Sequence, residues 1–183
     1  MNSFLTLLSF LGQSAGKPAS HEALRYWPWN FRIAPADPQD TERDNVFEMD
    51  GKEERILLAL SWTAISPTAL TALPTGGASW SLDRIDLILQ HDLVDLIIPE
   101  LESDVSPATY VRSSFQDLAT AHEPVPHQVA AGDPRWTQRA RGFNPLLYRI
   151  GPGGHVRIGG RKTLAAGVGE EWYIQGSLLS WKV

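Results

Sequence analysis

The sequence predicts a mainly β chain: an antiparallel β-sandwich or jelly roll with a helical insertion at about 106–122 and a short N-terminal helix. Three observations carry this. The C-terminal third alternates polar and apolar residues between glycine turns. The run Arg55–Ile65 is dense in residues that favour strands. Only Ser106–His122 has clear helix signals away from the N-terminus. The 183 residues, 43% apolar and 20% charged, suit one folded domain, 19–183, behind an arm and linker, 1–18. Cysteine is absent, which excludes disulfides, thiolate zinc sites and cysteine nucleophiles. A net charge of −5 excludes a molecule that is a polycation throughout.

The elements follow in chain order. Phe4, Leu7, Leu8 and Leu11 recur at i, i+3, i+4 and i+7, the stripe of an amphipathic helix that Gly12 stops. The run is too short to span a bilayer. It has no preceding Lys or Arg, as a secretory signal would, and no basic residues to hold it to lipid. Such a helix docks on its own domain or, as an arm, on a neighbour or a membrane surface. The Gly12–Pro18 linker leads us to expect that residues 1–11 leave the domain. Trp27, Trp29, Phe31 and Ile33 share one face of an extended segment, and Pro28 makes it an edge strand or bulge. Pro35–Asn45 is a loop by composition. Asp50-Gly51, between Val46–Met49 and Arg55–Ile65, predicts a hairpin. Strict alternation in the second strand puts Ile56, Leu58, Leu60 and Trp62 on one side and Leu57, Ala59, Ser61 and Thr63 on the other. Both sides are largely apolar, so this strand is central and covered on both faces.

Ser66–Ser79 is a loop holding Pro67, Pro74 and Gly76-Gly77. In Trp80–Glu100 the density of Ile, Leu and Val favours two strands, broken at Gln90-His91-Asp92, over a helix beginning after Ser81. Ser106 is a good N-cap and Pro107 suits the first helical position, with Val111, Phe115, Leu118 and His122 on one face and Glu123-Pro124-Val125-Pro126 ending the helix. From Leu146 onward, short strands are separated by Gly151–Gly154, Gly159-Gly160 and Gly167–Gly169.

Few residues are arranged for chemistry. His122-Glu123 and His127 superficially resemble the helical zinc motif, but the spacing is one residue too long and two prolines forbid the helix. The glycines of 151–160 fail the phosphate-loop pattern, because Gly160-Arg161 stands where Lys and Ser/Thr belong. Asp40, Glu42 and Asp44 lack the glycine and distal glutamate of a calcium loop. His91 with Asp92 or Asp95 offers a hydrolase a base and a carboxylate, with no nucleophile in any readable motif. Seven tryptophans invite a sugar-stacking platform at Tyr26, Trp27 and Trp29, although tryptophans more often serve cores and interfaces.

Charge is the most informative pattern. Pro134–Gly169 holds Arg135, Arg139, Arg141, Arg149, Arg157, Arg161 and Lys162 and no carboxylate, whereas Asp37–Glu54 holds eight carboxylates, among them Asp37, Asp40, Glu42 and Asp44, against Arg43 and Lys52. The basic stretch either binds a polyanion or meets the acidic one, within a subunit or between neighbours. The negative net charge favours the meeting, and we expect it across a subunit contact.

The string from Lys162 through Ala165-Ala166-Gly167 to Trp172-Tyr173-Ile174 and Leu179 resembles a pattern of phage virion proteins with β-sandwich folds. There a Pro/Ala-Ala-Gly turn ends one strand and a Trp opens the next. Here Ala165 stands where Pro is common, and Val168-Gly169 lengthens the turn. The resemblance implies a virion structural protein and carries over no functional residue. The expected function is therefore a structural assembly subunit in the virion, and in the host cytoplasm during assembly: a capsid, decoration or tail component. It would be a homo-oligomer that also contacts other structural proteins, with no cofactor, metal, catalytic residue or small-molecule substrate. Membrane and nucleic-acid contacts are not favoured. A carbohydrate-binding module is the alternative, and a hydrolase using His91 the second.

Overall fold

The computed structural model describes residues 23–70, 81–91, 94–95, 114–130 and 133–183. Nine strands are present among them: β1 (Leu24–Ile33), β2 (Glu42–Glu48), β3 (Arg55–Leu70), β4 (Ile85–His91), β5 (Val94–Asp95), β6 (Ala121–Ala130), β7 (Asp133–Ile150), β8 (His155–Lys162) and β9 (Trp172–Lys182). They form two antiparallel sheets, one ordered β1-β9-β3-β7-β6 and the other β2-β8-β4-β5. The pairing has a simple order. β1 meets β9, β2 meets β8, β3 meets β7 and β4 meets β5. The chain is thus an antiparallel ribbon, and the contacts of β9 with β3 and β8 with β4 wind it into the two sheets.

Alternation explains the packing. Trp27, Trp29, Phe31 and Ile33 point inward from β1, as their spacing predicts, and Pro28 lies on an edge strand where a missing N–H costs no ladder bond. They share one core with Trp62 and Trp172 of the same sheet and with Ile85, Leu87, Leu89, Val156 and Ile158 of the other. Phe115 fills the centre, edge-on to Trp62 with centroids 5.0 Å apart and tilted against Trp29 and Phe31. Gly142 and Gly176 make room for the indoles. An added Cβ would overlap Nε1 and Cε2 of the Trp62 indole at the first and lie 2.6 Å from the Trp29 ring at the second.

Several expectations are corrected. Residues 114–122, the described part of the predicted helix, hold no helix. Ser114 bridges Asp86, a single turn follows, and β6 begins at Ala121. The Ser114 Oγ accepts the Asp117 N–H at 3.1 Å, capping a turn that goes no further because the backbone of 121–130 pairs with β7. Phe115 and Leu118 are buried as the helical face required, but as a plug between sheets. Among the described residues there is no α-helix; the predicted N-terminal helix, with Phe4, Leu7, Leu8 and Leu11, lies outside them.

Asp50-Gly51 sits in a turn, and the Asp50 carboxylate accepts the Lys52 N–H at 2.9 Å. The strands it joins, β2 and β3, belong to different sheets, so the connection is an arch rather than a hairpin. Gly159-Gly160 does not interrupt β8. A Cβ at Gly160 would lie 2.6 Å from the Phe31 ring, so the glycine admits a close approach. In β3 a bulge between Leu57 and Ala59 breaks the alternation. Leu57, Leu60 and Trp62 face the main core, while Leu58 and Ala59 turn together to the outer face. The strand is central, between β9 and β7, as predicted. Strands at Ile85–His91 and Val94–Asp95 agree with two strands in that segment, but β4 continues through Gln90 and His91, which the pattern placed in the break.

Candidate functional site

Two surfaces gather the residues singled out by the sequence: a charged seam on the four-stranded sheet and the outer face of the five-stranded one. The seam arises because β2 pairs with β8, setting Glu42 opposite Arg161 and Asp44 opposite Gly159. Arg157 reaches Glu42 through Nη2 at 2.6 Å, donates to Gln90 at 3.1 Å and pairs through Nε with Asp44. Arg161 bonds Asp86 at 2.7 Å and approaches Asp40 at 3.9 Å. Burial opposes the charge on Arg157. Its hydrogen bonds to Asp44 and Glu42 outweigh that and hold its pKa above the ordinary guanidinium value. Two arginines here face four carboxylates, so the seam is not a surface for a polyanion.

The meeting of acidic and basic stretches therefore occurs, for Asp40, Glu42, Asp44, Arg157 and Arg161, inside one chain. This corrects the expectation that these residues face each other across a subunit contact; the ladder between β2 and β8 already brings them within bonding distance. Asp37 is likewise used internally, accepting the Ala34 N–H at 2.8 Å and the Arg43 guanidinium at 3.3 Å. Lys162 is no surface cation. It is 2% exposed, and its ammonium donates to the carbonyls of Ala34, Pro35 and Asp37 at 3.2, 2.7 and 2.7 Å. It ties the end of β8 to the loop after β1.

The remaining four basic residues sit on β7, where Arg149 pairs with Glu54 of the acidic stretch. Arg135, Arg139 and Arg141 belong to β7 in the five-stranded sheet, and no register joins that strand to the acidic strand β2. Arg139 and Arg141 are exposed, and Arg141 lies 3.6 Å from Glu123. Arg135 pairs in backbone register with His127.

The register places the outer face of that sheet row by row. Arg32, Tyr173, Ile65 and Arg139 form one end, Asn30, Gln175, Thr63 and Arg141 the next row, and Tyr26, Leu179, Ala59 and Pro145 lie towards the far end. Glu171 anchors the charged end. The Arg32 guanidinium and the Tyr173 hydroxyl both donate to it and hold its carboxyl below the usual range. Between the ends is a shallow polar cleft of about 360 Å³ beside Asn30, Ser61, Thr63 and Gln175.

The stacking platform does not form. Trp27 and Trp29 are 5% and 2% exposed, whereas Tyr26 is 64% exposed. Strand alternation explains this: Tyr26 points outward and its tryptophan neighbours inward, with Trp27 donating through Nε1 to Ser180 at 3.0 Å. The backbone brings His91, paired with Val94, and Asp95, paired with Gln90, onto one hairpin; Asp92 lies outside the described residues. His122 and Glu123 stand on β6, where side chains alternate instead of converging as a metal pair would require. No group of residues able to hold a metal ion occurs among the described residues.

The sequence reading missed the outer apolar cluster of Leu58, Ala59, Leu179 and Trp181. Its signal was present in the apolar residues on both sides of β3. Comparison with protein-family models, curated proteins and solved structures returns no match.

Proposed function

We propose that the chain is a jelly-roll assembly subunit, a virion structural protein of the capsid, decoration or tail class, acting through self-association and contacts with other structural proteins. The observation that carries the reading is the pairing order β1·β9, β2·β8, β3·β7, β4·β5, the wound ribbon of a jelly roll, with β6 added beside β7. Fold alone does not determine function, and jelly rolls also serve as lectins. Two further features support the assembly reading: the resemblance of residues 162–179 to virion β-sandwich proteins, and exposed Tyr26, Phe143 and Leu147 on an outer face that also carries Arg139 and Arg141. The test is light scattering across a concentration series with the purified chain, followed by a search for the chain in purified virus particles. Self-association and recovery with particles support the reading; a strict monomer that is absent from particles rejects it.

The polar cleft lined by Asn30, Ser61, Thr63 and Gln175 favours a carbohydrate-binding module as the second reading. Binding on a glycan array that Asn30→Ala and Gln175→Ala abolish would promote it over the first.

A further inference from the structure

The cluster of Leu58, Ala59, Leu179 and Trp181, flanked by Ala23, Leu24 and Ile56, draws all its described members from β1, β3, β9 and the residue before β1. These are neighbouring strands of one sheet. Their inner-facing neighbours Leu57, Leu60 and Leu178 belong to the main core, so the cluster lies on the opposite, outer face. Side chains on an open sheet face keep water above them. Leu179 and Trp181 do not: they are 7% and 8% exposed. The cluster thus has one layer among the described residues, and its burial calls for a second.

We propose that this second layer is the chain's own N-terminal stripe, Phe4, Leu7, Leu8 and Leu11. The seat begins where the described chain begins, at Ala23 and Leu24. Residues 12–22 offer no large apolar side chain, so the covering volume has to come from residues 4–11. Twelve residues separate Leu11 from Leu24, and a chain spans at most about 3.3–3.6 Å per residue, so reach does not limit the contact.

The other long segments outside the described residues are poorly placed. Residues 96–113 run from β5 to Ser114, both joined to the four-stranded sheet. Residues 71–80 start from Leu70, roughly 45 Å along β3 from Ile56 at the rise of a strand. Neither stripe nor cluster carries a charge, and burying an apolar stripe against an apolar face is the ordinary fate of such a pair. Tyr26 and Leu147 remain exposed at the rim.

The chain has no cysteine, so introduced thiols report cleanly. Ala59→Cys places a thiol at the floor of the seat, and Leu7→Cys with Tyr26→Cys pairs the stripe with the rim. The readouts are the alkylation rate of the Ala59→Cys thiol, with and without Leu7→Asp/Leu8→Asp, and the disulfide formed by the Leu7→Cys/Tyr26→Cys chain at low micromolar concentration. We expect slow alkylation that accelerates at least tenfold in the Asp variant, and a disulfide within one chain. Leu7→Cys with Arg139→Cys, at the far end of the same face, should not close. Fast alkylation in both backgrounds overturns the proposal. So does a disulfide that links two chains, which would make a second copy the occupant, or protection that appears only when anionic vesicles are added. All of these readouts are taken on the monomer, so failure of the assembly reading leaves them standing.

Discussion

Lys162 shows how one buried charge is made tolerable. Its ammonium has three donors and finds three carbonyls, so the desolvated cation is fully hydrogen-bonded. Lys162→Met keeps the stem and strands those carbonyls; unfolding in urea should show a loss of about 2–3 kcal/mol. Gly142 is held by sterics instead. Gly142→Ala drives a methyl into the Trp62 indole, whose Nε1 donates to Asn144 at 3.2 Å, and should cost about 1–3 kcal/mol by the same measurement.

Titration enters through His122, whose pKa burial lowers from 6.5. The unfolded chain then binds the proton more readily than the folded one, so stability falls as pH drops below 6.5. His122→Gln should flatten the stability profile between pH 7 and the folded-state value, while the wild type declines. Equal slopes in the two proteins would remove His122 as the source. At this scale the sequence was legible where one alternation decided the outcome, as with Trp27 and Trp29. It was illegible for Lys162, because its partners lie more than a hundred residues away.

Among the elements, the turn around Phe115 has the largest effect. One ring touches Trp29, Phe31 and Trp62, so Phe115→Ala should destabilise by about 3–5 kcal/mol in denaturant titration. A solvent-facing turn would lose only a few tenths. The sequence pattern identified Phe115 and Leu118 as buried but assigned the wrong element. An apolar pair three apart suits one turn as well as a helix, and pairing of 121–130 with β7 overrode the local helix signals.

The strand β2 presents the opposite case. It is an edge strand with exposed Val46, held to β8 partly by Arg157. Arg157→Gln should cost about 1 kcal/mol and cost less in 1 M salt, since the pairs are half exposed. The sequence showed the two charge blocks but could not show that a backbone ladder joins them, because register between distant strands leaves no local mark.

On the scale of the molecule, the strands were largely readable and their partners were not. Asp50-Gly51 reads as a hairpin, yet β2 and β3 go to different sheets, and β7, β8 and β9 alternate between sheets although glycine turns join them. Arg157 and Arg161 are already paired within the chain, so salt-sensitive self-association through the basic stretch falls to Arg139 and Arg141 on the other sheet's outer face. Arg139→Glu with Arg141→Glu should therefore weaken association in light scattering while shifting unfolding by less than about 0.5 kcal/mol. Unchanged association would turn attention to the apolar rim of Tyr26, Phe143 and Leu147.

The insertion of β9 between β1 and β3 also has a kinetic meaning. The first described strand of the five-stranded sheet finds its partner only in the last, across roughly 140 residues of chain, the slow kind of contact to close. While the ribosome is still making residues 172–182, β1 and β3 flank an empty slot with unpaired edges on both sides. A nascent chain stalled before Trp172 should be open to proteases and in need of a chaperone, and should become resistant only once β9 has left the ribosome and filled the slot.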